Sequence, residues 1–201
     1  MIAARTGASY LPSEAGGGEL TCAFLGKICR FSWPELLGWD SQGSVLPDMQ
    51  QALLLYYLVT ADGASPTGTW VSFAELPDGR FYDAAFQGYS GEKIVAAFEQ
   101  VDPEGTLPRL TDKVLLEFER VCLSSGGKPI AQGSCAFTFD ALPRVPLLVI
   151  YWLGDEDFPS SAKILFDESV CHYLPIDACA ILGSMLAAKL VSLSRIDSQV
   201  G

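Results

Sequence analysis

Histidine and positive charge are both scarce in this sequence. It has one histidine, His172, in 201 residues, and thirteen lysines and arginines stand against twenty-four acidic residues for a net charge of −11. A nucleic-acid interface needs a basic surface that can neutralise phosphates. The composition therefore argues against a nucleic-acid partner.

Long apolar runs are missing as well. No stretch approaches the roughly 20 consecutive apolar residues that a membrane helix needs. Residues Met1–Gly7 lack a basic region followed by an apolar core and a cleavage site, so we expect no secretory signal. A cytoplasmic protein with no membrane partner is the expectation.

Signatures of metal, nucleotide and acyl-transfer sites are also lacking. Structural zinc and iron–sulfur sites draw thiolates from closely spaced cysteines, but this chain has no Cys-x-x-Cys pair. We interpret the cysteines as buried free thiols, expect no metal site and can name no cofactor. Glycine loops for phosphate and the Gly-x-Ser-x-Gly elbow do not occur either. The six cysteines are Cys22, Cys29, Cys122, Cys135, Cys171 and Cys179.

The sequence does contain enough apolar surface for a sizeable core. Hydrophobic residues make up 49% of the chain and charged residues 18%, which is typical of a globular protein. Residues 1–18 are rich in glycine, serine and alanine, and they are predicted to form a flexible leader. Residues 19–195 are interpreted as one α+β domain, and residues 196–201 as a tail.

Hydrophobic periodicity predicts the order of elements in that domain. Three strands near residues 135–139, 145–153 and 162–166 predict an antiparallel meander whose middle strand is buried on both sides. Helices are expected to pack on one face of this sheet. The other expected elements are a small hairpin over 20–33, helices over 49–59, 81–99 and 177–193, and a short extended piece near 70–73.

Residues 142–175 concentrate the chain's chemistry-bearing side chains. Asp155, Asp157 and Asp167 lie at the two ends of a predicted strand, and His172 follows. Carboxylates so grouped can hold Mg²⁺ or Ca²⁺, but the spacing of a calcium loop is missing, and a solvated acidic turn is favoured. His172 is expected to hydrogen-bond a neighbouring carboxylate, with Asp167 as the candidate.

Several segments, taken in order over residues 19–193, resemble the DUF3786 family of uncharacterised prokaryotic proteins, which come mostly from anaerobes. The resemblance implies a cytoplasmic protein, and some relatives look like fusions to an iron–sulfur domain, whose cysteine cluster this chain lacks. Where many relatives are expected to carry histidine, this chain has Tyr56. The segments are Leu53–Leu58, Gly68–Pro77, Leu142–Leu147, Gly154–Pro159, Leu165–Asp167 and Tyr173–Pro175.

These observations lead us to expect a non-catalytic ligand-binding or accessory module of anaerobic redox or cofactor metabolism. Its partner would be a small molecule or another protein. The ligand-binding residues are predicted to be Tyr56, Trp70, Asp155, Asp157, Asp167 and His172.

Two other functions remain open. The first is an enzyme that uses His172 as general acid or base, with Asp167 or Asp157 holding its tautomer. The second is a protein–protein interaction domain, recognisable by an exposed apolar patch. An enzyme requires His172 beside a carboxylate inside a concave pocket, whereas a binding module accepts it at a rim.

Overall fold

The N-terminal part of the protein forms an antiparallel sheet. The computed structural model describes residues 2–14, 16–99 and 112–196. A short helix, α1 (Ile2–Thr6), precedes four strands, which are β1 (Ser9–Ser13), β2 (Gly17–Phe24), β3 (Lys27–Trp33) and β4 (Gly38–Asp40). The strands pair in the order β1–β2–β3–β4. The small hairpin expected from sequence is thus the centre of a larger sheet.

The structure differs from the expected flexible leader over residues 1–18. Helix α1, strand β1 and the start of β2 all fall in this segment. The glycines there allow close packing, because a Cβ added to Gly17 would lie 2.5 Å from the Trp33 carbonyl oxygen and one on Gly18 would lie 2.5 Å from that of Leu11. From composition alone, such glycines predict a flexible segment.

The second sheet is also antiparallel and has five strands. They are β5 (Trp70–Val71), β6 (Lys128–Ile130), β7 (Cys135–Leu142), β8 (Val145–Trp152) and β9 (Ser161–Asp167), in the order β5–β9–β8–β7–β6. Strand β8 is central, and every residue from Leu147 to Tyr151 is buried. The expectation of a strand covered on both sides is confirmed.

Over the described ranges, five further α-helices complete a mixed fold, so the α+β class is confirmed. They are α2 (Asp48–Thr60), α3 (Asp83–Tyr89), α4 (Gly91–Phe98), α5 (Asp112–Ser124) and α6 (Ile176–Ile196). The helical segment predicted over 81–99 is divided at Ser90. The second half begins at Gly91. Glycine is needed at this position because a Cβ there would lie 2.1 Å from the Ala162 carbonyl oxygen of β9. Of the predicted tail, residues 197–201 lie outside the described residues.

A large apolar core joins the two sheets and the helices. Its most tightly stacked part is aromatic: the ring centroids of Phe73 and Phe86 are 4.4 Å apart, and those of Phe86 and Phe166 are 5.8 Å apart. Helix α6 reaches these rings through Gly183, where a Cβ would lie 2.7 Å from the Phe86 ring. A second, smaller cluster consists of strand residues, with Trp70 packed against it.

Helix α6 is unusually apolar. Among the described residues, it is the one helix whose length and composition would allow it to cross a membrane, over Ile176–Ser194 at a mean hydropathy of 1.7. Leu182, Leu186 and Leu190 of this helix are fully buried in the large core. Core packing accounts for this face of the helix, while 39% of the Ile176–Ser194 span is buried.

We predict that Phe166→Ala strongly destabilises the fold. Phe166 is fully buried against Phe73 and Phe86, and a buried Phe→Ala change costs about 3–5 kcal/mol through lost contacts and a residual cavity. Urea unfolding followed by circular dichroism measures the change in unfolding free energy. Phe158→Ala is the matched control, since Phe158 is 72% exposed, and equal effects of the two substitutions would contradict this account of the core.

Candidate functional site

His172 forms a surface pair with Asp62 rather than with the expected Asp167. Its Nδ1 lies 2.6 Å from Asp62 Oδ2, and the two side chains are 52% and 54% exposed. Asp62 follows α2, and its backbone N–H donates to the His172 carbonyl, so chain segments far apart in sequence meet here. A backbone hydrogen bond from Ala64, and then the bond with His172, lowers the pKa of Asp62.

Asp167 is buried and serves as a structural acceptor. Its carboxylate accepts backbone hydrogen bonds from Gly68 at 2.7 Å, Ser169 at 3.0 Å and Thr67 at 3.1 Å. Burial alone would raise the pKa of this carboxyl, but the donors of Ser169, Thr67 and Gly68 outweigh burial and lower it. Asp167 therefore fixes Thr67, Gly68 and the start of the 3-10 helix Glu168–His172.

The other predicted site residues are spread over the molecule. Trp70 is the cross-strand partner of Asp167 and packs on the smaller apolar cluster. Asp155 accepts two backbone hydrogen bonds within its own turn, and Asp157 is exposed in the same turn. Tyr56 is 49% exposed on α2. The structure thus brings Trp70 and Asp167 together, while hydrogen bonds engage Asp155 and His172 elsewhere.

A cavity of about 480 Å³ lies between the N-terminal sheet, α2 and α6. Ligand pockets usually measure about 300–1,000 Å³ and combine apolar walls with a few polar groups. The apolar lining comes from Phe24, Leu25, Val45, Leu46, Pro47, Met185 and Ala188. The polar lining comes from Lys27, Cys29, Asp40, Gln50, Lys189 and Ser192.

The Lys189 side chain extends from α6 towards the β2–β3 turn and the end of α5. Its Nζ donates to the Leu25 carbonyl at 2.8 Å and to the Ser125 carbonyl at 2.9 Å. Leu25 lies in the tight turn between β2 and β3, and its backbone N–H donates to the Ala141 carbonyl of β7 at 2.8 Å. Burial, and then the charge of Lys27, lowers the pKa of Lys189.

Lys27 and Asp40 lie on the sheet side of the cavity. Lys27 follows the Leu25–Gly26 turn, where both residues have positive φ, 47° and 79°. Asp40 is the cross-strand partner of Cys29, and its Oδ1 accepts the backbone N–H groups of Gln42 and Ser44 at 2.9 Å. Both charges therefore lie beside the buried Cys29 thiol.

The loop that closes one side of the cavity is fixed to α2 by a single side chain. Gln51 accepts a hydrogen bond from the Gly38 backbone N–H at 3.0 Å and donates to the Leu46 carbonyl at 2.8 Å. Leu46 lines the cavity, whereas Gln51 itself holds the loop from the helix side. The wall is therefore preorganised by the first turns of α2.

Sequence reasoning missed the charged residues of this cavity. Lys189 carried a detectable signal, because it is the one charged residue between Asp177 and Arg195 in an otherwise apolar helix. A lone lysine in such a helix must find acceptors or reach water. Lys27 and Asp40 carried no such signal, since charged residues beside turns are common.

The six cysteines are free thiols, as expected, but the expectation that they are buried is wrong for Cys171, which is exposed, and Cys135 is only half-buried. Cys22 and Cys29 are buried cross-strand partners, and burial raises the pKa of Cys22 to about 12. A thiol with so high a pKa is a poor nucleophile at neutral pH. Within the described ranges, no group of three or more histidine, cysteine or acidic residues is arranged to hold a metal ion.

Comparison with protein families gives one match. The model described as a domain of unknown function, DUF3786, matches residues 1–189. The chain belongs to the DUF3786 family. Comparison with curated proteins and with solved structures found no match. In this DUF3786 protein, the family match spans both sheets and most of α6, so it includes every residue of the cavity up to Lys189.

We predict that Asp167→Asn destabilises the protein by about 2 kcal/mol at pH 7, since several hydrogen bonds to a charged acceptor are weakened. The pKa of Asp167 is lowered in the folded state, so the stabilisation is present above the unfolded-state pKa of about 3.9 and is lost as pH falls through the folded-state value. The difference in unfolding free energy between wild type and variant should therefore shrink below about pH 4.

Urea unfolding at a series of pH values measures this difference. Asp157→Asn is the matched control, because Asp157 is exposed, and it should change stability little. A difference between wild type and Asp167→Asn that stays constant down to pH 2 would contradict the assigned role.

Proposed function

We propose that this DUF3786 protein is a non-catalytic ligand-binding module that takes a small molecule into the cavity between the N-terminal sheet, α2 and α6. The observation that carries the proposal is the cavity itself, about 480 Å³ in volume with apolar walls and a few charged groups. Size and lining of this kind are typical of sites for small organic ligands. The proposed function is the ligand-binding function that we favour from sequence. The proposed site is the cavity, in place of the residues around His172 that the sequence suggested.

Two smaller hollows in the described part of the surface support the proposal less well. One, of about 300 Å³, is lined mainly by apolar residues near Cys171 and Pro175. Another, of about 350 Å³, lies between α4 and Ala162 of β9. In the larger cavity, β4 and α6 face each other and contribute the half-buried charges Asp40 and Lys189. Neither smaller hollow is lined by a half-buried charge from each of two elements.

The proposed setting is the cytoplasm, in support of anaerobic redox or cofactor metabolism. The free state of all six cysteines supports a reducing compartment, where disulfides are rare. The net charge of −11 supports a small molecule or a protein as partner in preference to nucleic acid. A membrane partner is not part of the proposal.

An enzyme using His172 is the second candidate, favoured by one observation. The 2.6 Å contact between His172 Nδ1 and Asp62 Oδ2 would fix the imidazole tautomer and leave Nε2 available for proton transfer. Both side chains are about half exposed, however, and neither lines the cavity. General acid–base chemistry is most effective where water is excluded, so the binding module is the better-supported function.

We predict that Ala188→Phe abolishes ligand binding in the cavity. Ala188 is an exposed residue of α6 that lines the cavity, so a larger ring there occupies the space of the ligand without disturbing the core. Native mass spectrometry of protein purified under nitrogen, together with its absorption spectrum, should show a bound small molecule in wild type and none in the variant. Ala85→Phe, at an exposed position of α3, is the matched control and should retain the ligand.

Retention of the same molecule by Ala188→Phe and wild type would contradict the proposed site. Wild-type protein that carries no molecule, and that binds none from a metabolite library with a change in melting temperature, would contradict the proposed function.

We also predict that His172→Asn leaves the bound molecule in place. The substitution removes the imidazole from the Asp62 pair, which lies outside the cavity lining. The measurement is the same native mass spectrum. Loss of the molecule in His172→Asn together with its retention in Ala188→Phe would favour the histidine site over the cavity.

A further inference from the structure

We propose that the cavity recognises a small organic molecule by a single anionic group, a carboxylate or a phosphate, held between the ammonium groups of Lys27 and Lys189. This inference rests on the proposed function and names the class of ligand. The rest of the ligand would lie against the apolar walls formed by α6 and the loop before α2.

The first support is the incomplete coordination of Lys189. A lysine ammonium has three donors, and the carbonyls of Leu25 and Ser125 take two of them at 2.8 and 2.9 Å. These carbonyls also fix where the ammonium lies, because one belongs to the turn after β2 and the other follows α5. Lys189 lines the cavity, and in our proposal its third N–H donates to the ligand there.

The second support is the convergence of two like charges. Lys27 lines the same cavity from the start of β3, and no ion pair within 4.0 Å joins it to a carboxylate in the described part of the chain. Lys27 and Lys189 line this cavity from opposite sides, β3 and α6, and the charge of Lys27 contributes, after burial, to lowering the pKa of Lys189. An anion between them relieves this repulsion and adds charge-assisted hydrogen bonds.

The third support is the position of Asp40. Asp40 lines the cavity, its Oδ1 accepts the backbone N–H groups of Gln42 and Ser44, and it forms no direct ion pair with either lysine among the described residues. Asp40 therefore pairs directly with neither lysine, and two lysines against one carboxylate leave the lining with a net charge of +1. Its own charge would repel a second anionic group, which limits the ligand to one anionic end.

The overall charge of the protein makes this arrangement selective. The chain has thirteen basic residues against twenty-four acidic ones, so an anion is repelled by most of the surface. Two lysines beside one apolar cavity form a local exception. The chemistry that fits is a monocarboxylic acid or a phosphate monoester with an apolar body.

The test is a titration of ¹⁵N-labelled full-length protein with three probes that share one alkyl chain. Butyrate carries a carboxylate, butyramide is its neutral analogue, and monobutyl phosphate carries a phosphate. At constant ionic strength, we expect saturable shifts of the Gly26, Lys27 and Asp40 amide signals with at least one anionic probe. We expect binding of that probe to be at least about tenfold tighter than that of butyramide, as a charge-assisted hydrogen bond implies. The tighter of the two anionic probes identifies the anionic group.

Lys27→Met should weaken binding of the anionic probe about tenfold. Lys27 is exposed at the start of β3, so this variant should fold normally. Lys189→Met should weaken binding at least as much, and circular dichroism checks its fold, because the substitution also removes two structural hydrogen bonds. Lys93→Met, at an exposed position of α4, is the matched control and should bind like wild type.

Equal binding of butyrate, butyl phosphate and butyramide, or unchanged anion binding by folded Lys27→Met and Lys189→Met, would overturn the anion site. If Ala188→Phe still displaced the co-purified molecule in that case, the proposed ligand-binding function would stand and this inference alone would fail.

Discussion

The two hydrogen bonds of Lys189 are the constraint on which the site depends. One ammonium group joins α6 to the turn of the central hairpin and to the end of α5, through the carbonyls of Leu25 and Ser125. Because a half-buried lysine must find acceptors or reach water, these bonds fix both the position of the charge and the distance between the N-terminal sheet and the last helix. The space left beside them is the cavity. A single side chain thus links the packing of the fold to the electrostatics of the candidate site.

Much of the fold could be predicted from periodicity and breaker residues. Pro47 before α2, the continuous apolar run of β8 and the alternation in β7 each correspond to an observed element. The N-terminal sheet could not be predicted in full, because Gly17 and Gly18 are read as flexible from composition. Their role is visible only in the folded protein, where the Trp33 and Leu11 carbonyl oxygens lie so close that a Cβ on either glycine would be 2.5 Å away.

The site was harder to predict than the fold for a physical reason. Proximity in sequence suggested that His172 pairs with Asp167. A carboxylate at the end of a strand can instead accept hydrogen bonds from the backbone N–H groups of a loop that passes beside it. Asp167 accepts hydrogen bonds from Thr67 and Gly68 in that way, and His172 meets Asp62, which lies 110 positions away in the chain. Lys27, Asp40 and Lys189 come from three elements, and no local pattern indicates that they share a cavity. Such tertiary pairings are not encoded in spacing along one segment.

The central claim is that a small molecule occupies the cavity beside Lys27 and Lys189. A crystal structure of the protein purified and crystallised without oxygen, with no added ligand, tests it most directly. The account predicts electron density for an organic molecule between α6 and β3, with one oxygen-rich end at the two lysines. Density for a co-purified molecule at His172 and Asp62, with only solvent in the cavity, would contradict it.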